Sequence, residues 1–215
     1  MKVALIGATG FVGKAVLNEL LHKGHQVTAI VRNPESLKPQ HGLTIVNGDA
    51  TDVSVLADAL KGQEAVISTF NAGWANPNLY LDFLNGSKAI QEGVKKSGVK
   101  RLLVVGGAGS LFIDGKQLVD APAFPAEYKA GATAARDYLN ELKKESGLDW
   151  VFLSPAVEMH PGTSGVRKGT YRTGTENPVF DEAGRSVISV EDLAVAIVDE
   201  IEQPKFSRQR FTAAY

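Results

Sequence analysis

Gly7, Gly10 and Gly13 stand three residues apart in "GATGFVG", directly after the apolar run Val3–Ile6. Each glycine loses more conformational freedom on folding than any other residue would, so a cluster at a strand end needs a reason. A turn there can bring backbone N–H groups, and the amino end of a following helix, against an anion. In this reading Gly7 permits the tight turn and Gly10 lets the backbone approach a pyrophosphate. Gly13 then lets the helix pack close to the strand. The spacing is one residue longer than the common dinucleotide fingerprint. It is not a P-loop, which would need glycine in place of Ala8 and a hydroxyl in place of Ala15.

Further candidates follow the ends of later apolar runs. "TAIVRNPES" carries Arg32 where an acid would select ribose hydroxyls, and a guanidinium there suits a 2′-phosphate. That points to NADP(H) over NAD(H). In "IVNGDATD", Asp49 is placed to accept an adenine amino group with the Ala50 backbone beside the ring, or to cap the next turn. "STFNAGWANP" and "VVGGAGSLF" put small, backbone-exposing residues at strand ends, making Thr69, Phe70, Gly106 and Gly107 candidate neighbours of a nicotinamide. Phe70, Trp74, Leu111, Phe112, Met159 and His160 are candidate walls of an acceptor pocket, with the Trp74 indole able to stack on a flat ring. Ser110, Tyr128 and His160 are the candidate donors to an acceptor. His22, His25 and His41 read as surface residues, and no histidine pair has metal-ligand spacing.

These residues need a scaffold with its strand ends on one edge. Four segments, "HKGHQVTAIV", "LKGQEAVISTF", "KKSGVKRLLVVGG" and "KKESGLDWVFLSP", join a helix stop to an apolar strand. Gly24, Gly62, Gly98 and Gly147 can take the left-handed conformation that ends a helix, and the lysines suit its negative end. With Val3–Ile6 and Leu43–Val46 this makes six strands, near-continuously apolar as in a parallel sheet covered on both faces. Helices are expected at about 10–22, 53–61, 78–97, 126–146 and 191–202. The fold class is α/β: a doubly wound parallel sheet (Rossmann fold) in a single domain over 1–215. Pro155–Ser189, rich in Gly, Thr, Arg and Pro, reads as a loop-rich cap beside the sheet. Gly86 and Gly93, seven apart on one helix, permit close packing on the sheet or on a second subunit, so monomer and homodimer both stay open.

Composition excludes several classes. The 215 residues are 44% hydrophobic with 23 basic and 24 acidic side chains, a net charge of -1, and no basic block longer than a pair. Neither a nucleic-acid groove nor a polybasic membrane anchor is expected. With no cysteine there are no disulfides, thiolate metal sites or cysteine nucleophiles. The interrupted apolar start is not a signal peptide, and the expectation is a soluble, cytoplasmic protein.

Taken together, "GATGFVG", "VRNP", "GDATD", "ISTFN" and "SGLDWVFLSPA" resemble the atypical short-chain dehydrogenase/reductases. Within them the chain is similar to the small NAD(P)H-binding proteins known as NADH-flavin reductases, related to biliverdin reductase B and to NmrA-like proteins. The resemblance implies dinucleotide contacts at Gly7, Thr9, Gly10, Phe11, Val12, Arg32, Asp49 and Ala50, and a nicotinamide flanked by Pro155 and Ala156. It departs in one respect that matters. The Tyr-x-x-x-Lys pair that moves protons in most such enzymes is missing, since Leu84, Ala132, Leu142 and Thr175 follow Tyr80, Tyr128, Tyr138 and Tyr171 at four residues. Hydride transfer to a planar acceptor such as a flavin needs little proton machinery, and is the expected activity. A dinucleotide-sensing regulator without catalysis is the alternative, and an epimerase-like enzyme a weaker one.

Overall fold

Each helix stop is followed by a strand whose side chains are mostly buried, because helices cover both faces of the sheet. The computed structural model describes residues 1–215. It contains β1 (Lys2–Ile6), α1 (Phe11–His22), β2 (Gln26–Val31), β3 (Leu43–Asn47), α2 (Val53–Ala59), β4 (Ala65–Ser68), α3 (Leu79–Ser97) and β5 (Arg101–Val105). A small hairpin of β6 (Phe112–Ile113) and β7 (Lys116–Gln117) follows, then α4 (Ala126–Leu142), β8 (Asp149–Pro155), β9 (Arg172–Gly174), α5 (Val190–Glu202) and β10 (Gln209–Ala214). One sheet takes eight strands in the order β3-β2-β1-β4-β5-β8-β10-β9, with β9 antiparallel and every other pair parallel. The chain winds outward from β1 to β3, then returns to place β4 on the other side of β1. The carboxyl ends of β1 and β4 are therefore neighbours, paired Ile6 with Ser68.

Alternate strand residues feed two cores. Val3, Leu5, Ile67, Leu103, Val151, Leu153 and Phe211 pack with α1 and α5 on one face. Ala4, Ile6, Val66, Leu102, Val104, Trp150 and Phe152 pack with α2, α3 and α4 on the other. Each fully buried branched aliphatic contributes about 1.5–3 kcal/mol. The glycines on α3 fit other parts of this chain: a Cβ at Gly86 would strike the ring of Phe70, in the loop after β4, at 2.4 Å, and one at Gly93 would strike the Leu56 Cβ of α2 at 2.7 Å.

Several expectations change. Four strands beyond the expected six exist, and β10 matters most because it extends the sheet from the last residues of the chain. Its burial is mixed: Phe211 and Ala213 face one core, while Arg210 and Thr212 are buried on the other face. There Arg210 donates to the Ser110, Thr175 and Glu176 carbonyls and pairs with the Glu176 carboxylate. That polar layer, covered by the loop after β5 instead of a helix, hides the apolar run that marks the other strands. Helix α4 stops at Leu142, and Gly147 is not left-handed; Gly24, Gly62 and Gly98 are, with φ of 78°, 76° and 86°. The Gly147 amide is instead taken by the Glu145 carboxylate at 2.6 Å.

Between β8 and α5 the chain carries only a short helical turn, Pro161–Thr163, and β9. It descends over α5 and α1, where Arg167 grips Glu19 bidentately at 2.9 and 2.8 Å and the Lys168 and Gly169 amides donate to buried Asp192. It then adds β9 to the sheet edge. His25 is buried, not a surface residue, with Nε2 3.0 Å from the Glu202 carboxylate. No helix is long and apolar enough to cross a membrane.

Candidate functional site

The three glycines do different work. Gly7 ends β1 with φ of 88°, and a Cβ there would lie 2.7 Å from the Thr69 carbonyl oxygen. A Cβ at Gly13 would lie 2.0 Å from the Gly7 carbonyl oxygen. Both glycines are demanded by the fold itself. Gly10 is not: its φ of -75° and ψ of 172° suit any residue, and a Cβ would meet nothing nearer than the Gly7 carbonyl at 3.4 Å. Gly10 is exposed at the mouth of α1, and packing within the chain does not require a glycine there.

Helix α1 begins at that point without a cap. Gly10 offers no side chain, and no acidic residue lies in the first turn. The Gly10 amide bonds Gly7 O at 3.0 Å and the Lys14 amide bonds Gly10 O at 2.9 Å, while those of Phe11, Val12 and Gly13 find no acceptor in the chain. Three unsatisfied donors at the positive end of a helix, unscreened by a Cβ, form a cradle for an anion. Thr9 is exposed beside it. The donor set and the cleared space fit a diphosphate.

Around this turn the strand ends converge. Thr69 is tied down, its amide and hydroxyl both donating to Ile6 O at 2.9 and 3.0 Å, so it braces the glycine turn from β4. Phe70 turns inward to stack against Phe83 at 6.1 Å and lies on Gly86, and it is half-buried. Gly106 has no room for a side chain, because a Cβ would sit 1.9 Å from the Phe152 ring, whereas Gly107 has 3.7 Å to its nearest neighbour. Pro155 and Ala156 end β8 buried, Pro155 paired with Ala213 of β10.

At the β2 and β3 ends the charges stand free. Arg32 is exposed and forms no ion pair in the chain. Asp49 accepts the Thr51 amide and hydroxyl, each at 2.8 Å, and these bonds, with the Arg32 charge beside them, hold its carboxyl below the usual carboxylate range. The turn role and an adenine contact are compatible, since both bonds use one carboxylate oxygen and leave the other. Asp52, not Asp49, caps α2 by accepting from the Ser54 and Val55 amides.

The three candidate donors fare differently. Ser110 is completely buried, its hydroxyl 2.9 Å from the Ser154 hydroxyl and 3.1 Å from Gly107 O, so it holds the loop after β5 and does not face the edge. His160 is exposed, but its Nδ1 accepts the Gly162 amide at 3.1 Å and closes a local capping box with Thr163. Tyr128 stands half exposed in the first turn of α4, without a hydrogen bond to its hydroxyl. Its ring meets Trp74 edge-on at 5.5 Å. Leu111 is buried, and Phe112 lies under the Arg210 guanidinium at 5.4 Å.

Sequence reasoning missed two residues that set this corner. Asn76 bonds Ala72 O, Asp82, and the Asn78 amide, and Gly131 makes room for the indole of Trp74. The run of asparagines in "NAGWANPN" was the available signal, because Asn side chains close turns on their own backbone. An open cleft of about 750 Å³ also runs outside α1, beside Phe11, Lys14 and His22. Its arginine, Arg167, is already paired with Glu19, and Glu191 already accepts the Gly165 amide. Lys14, Asn18 and His22 also line that cleft, but the run of free backbone amides lies at the carboxyl edge, at the start of α1. No group of His, Asp and Glu side chains is arranged to hold a metal ion.

Comparison with known proteins bears on the family and the fold. The chain is 37% identical over 215 residues to the uncharacterized protein YwnB of Bacillus subtilis (strain 168), covering 99% of this chain and 97% of that one. A "putative epimerase" from Bacteroides thetaiotaomicron matches with 45% identity and a TM-score of 0.91, over 100% of this chain and 96% of that one. A "putative NADH-flavin reductase" from Streptococcus pneumoniae TIGR4 matches with 37% identity and a TM-score of 0.86, over 100% and 99%. The profile of the NAD(P)H-binding family matches residues 7–204, from the first glycine of the turn to just past α5. By that match across nearly its whole length, the chain belongs to the NAD(P)H-binding family.

Proposed function

We propose that the protein is an NADPH-preferring oxidoreductase that reduces a planar conjugated acceptor such as a flavin. The observation that carries the reading is Gly10, a glycine the fold does not need at the mouth of an uncapped helix. In this reading the Gly10–Gly13 backbone holds the pyrophosphate, with Thr9 beside it. Arg32 pairs with the 2′-phosphate, and Asp49 with the Ala50 backbone receives the adenine. Thr69, Phe70, Gly106, Gly107, Pro155 and Ala156 line the nicotinamide half. Bound NADPH supplies a hydride, which is two electrons and a proton, and solvent supplies the acceptor's second proton.

The tyrosines support an acceptor that needs no proton from the protein. Tyr80 donates to Asp137 at 2.8 Å, Tyr171 to Asp199 at 2.8 Å and Tyr215 to Asp192 at 2.6 Å, while Tyr138 is buried against Gln91. The Asp137 bond pushes the Tyr80 hydroxyl up from its ordinary pKa, and burial does so for Tyr138, Tyr171 and Tyr215. A catalytic tyrosine is tuned in the opposite direction. What remains is alignment of two rings, which supplies rate through proximity. Cysteine-free composition and nicotinamide chemistry suit a cytoplasmic protein.

The test is steady-state oxidation of NADPH, followed by its near-ultraviolet absorbance, with riboflavin, FMN and quinones as acceptors. Turnover with at least one planar acceptor is expected. Tight binding of oxidised and reduced dinucleotide without turnover on any acceptor overturns the reading in favour of a dinucleotide-sensing regulator.

A further inference from the structure

Trp74 is held firmly and yet left open. Trp74 is 59% exposed, although tryptophans normally bury their large apolar surface. Its loop is braced at each turn: the Gly73 amide donates to Asn71 Oδ1 at 2.7 Å and the Asn76 amide to Gly73 O at 3.0 Å. The Asn76 side chain bonds Ala72 O at 3.2 Å, Asp82 Oδ2 at 2.8 Å and the Asn78 amide at 2.9 Å. Beneath the indole, Gly131 of α4 makes the room, since a Cβ there would meet Trp74 Cζ3 at 2.8 Å and displace the ring. Tyr128, one turn earlier, abuts it at 85° and is itself 49% exposed. Helix α4 thus carries a glycine in its interior, at a cost of about 1 kcal/mol relative to alanine, to seat a ring that remains in water.

The position has chemical meaning. Trp74 lies in the loop after β4, and Tyr128 opens a helix that leads into β8, so both sit at the carboxyl edge that also holds the glycine turn. We infer that Trp74, seated on Gly131 and buttressed by Tyr128, is the stacking platform for the ring system of a flavin-class acceptor. This deepens the oxidoreductase reading and rests on it. A preformed aromatic face favours a rigid planar ligand, because neither partner loses rotamer freedom on contact. The lack of any hydrogen bond to the Tyr128 hydroxyl, and of a lysine four residues on, matches a ligand recognised by its face and not by proton donors. The hydrogen-bonded loop makes the platform rigid before any ligand arrives.

Riboflavin, uncharged and intrinsically fluorescent, is the probe. Contact with an indole face quenches flavin emission, and the chain's other tryptophan, Trp150, is buried and out of reach. Quenching and calorimetric titrations use the wild-type protein, Trp74→Ala and Gly131→Ala, with thermal unfolding and NADPH affinity measured alongside. Expected are riboflavin binding by wild type, roughly tenfold weaker binding by Trp74→Ala, and weaker binding by Gly131→Ala despite its better helix former. NADPH affinity stays unchanged in both. Gly131→Ala leaves the indole present but displaced, so it separates platform geometry from simple loss of a side chain.

Wild-type riboflavin affinity in both folded variants overturns the platform while leaving the oxidoreductase reading standing. Absence of riboflavin binding by wild type also overturns it, and turnover with another acceptor then shows whether the wider reading survives. A dimer in sedimentation that Trp74→Ala converts to monomer, with acceptor binding intact, reassigns the surface to a second copy of the chain.

Discussion

Gly13 lies directly beneath Gly7, so close that a Cβ on Gly13 would stand 2.0 Å from the Gly7 carbonyl oxygen. Gly10, between them in sequence, has space above it that the chain leaves unfilled. One motif therefore mixes two kinds of glycine, those that the strand–helix junction needs and one that it does not, which the proposed function gives to the diphosphate. Substitution can separate the two.

Gly13→Ala is expected to lower stability by at least about 2 kcal/mol, because backbone has to move to admit the methyl group. Gly10→Ala should change stability by less than about 1 kcal/mol, given its ordinary dihedral angles, yet weaken NADPH binding roughly tenfold or more. Thermal unfolding read beside calorimetry distinguishes the pair. Equal NADPH affinity in folded Gly10→Ala protein would contradict a diphosphate at this turn.

Arg32 makes no ion pair within the chain and stands near Asp49. Arg32→Asp should weaken NADPH binding by about 1–3 kcal/mol, the scale of a lost charge-assisted contact. NADH, lacking the phosphate, should be affected much less. Calorimetry with both dinucleotides checks this, and a parallel loss for the two would mean that the guanidinium does not read the phosphate.

Tyr128 is the one tyrosine with a free hydroxyl at the edge, and Ala132 stands where a lysine would tune it. Tyr128→Phe keeps the ring that supports Trp74 and removes the hydroxyl. Its kcat with a planar acceptor should stay within about twofold of wild type, since no proton is asked of it. A drop of two orders of magnitude would restore the tyrosine as an acid.

Glu145 ties the turn after α4 to α3. It accepts from Gln91 at 2.9 Å and the Gly147 amide at 2.6 Å, and pairs with Lys95 at 3.1 Å. Burial pushes its pKa up, but those donors outweigh burial and hold the carboxyl below its ordinary 4.5. A depressed pKa means stability that is present above the unfolded value and lost as pH falls through the folded one. Glu145→Gln should therefore unfold more easily than wild type at neutral pH, with the gap closing as pH drops below 4.5. Denaturant midpoints across that range provide the measurement. A gap independent of pH would show that the charge contributes nothing.

Legibility followed physical locality. The strands after Gly24, Gly62 and Gly98 could be read because a left-handed glycine and an apolar run are neighbours in the chain. Strand β10 could not, because two of its five buried residues are Arg210 and Thr212, and the burial of Arg210 depends on Ser110, Thr175 and Glu176 far away in sequence. Ser110 looked available beside two glycines until Ser154 was brought to its hydroxyl. His25 looked exposed until Glu202 closed over it.

The sequence by itself determined the winding of strands and helices, the placement of three glycines after β1, and the missing tyrosine–lysine pair. These depend on backbone entropy, periodicity and spacing, all of which act over a few residues. Only the tertiary structure decided that Ser110 is committed to Ser154 and His25 to Glu202, and that Trp74 rests on Gly131 and stays largely exposed. Those outcomes turn on contacts between segments that lie dozens of residues apart, and close packing resolves them only when the whole sheet is assembled.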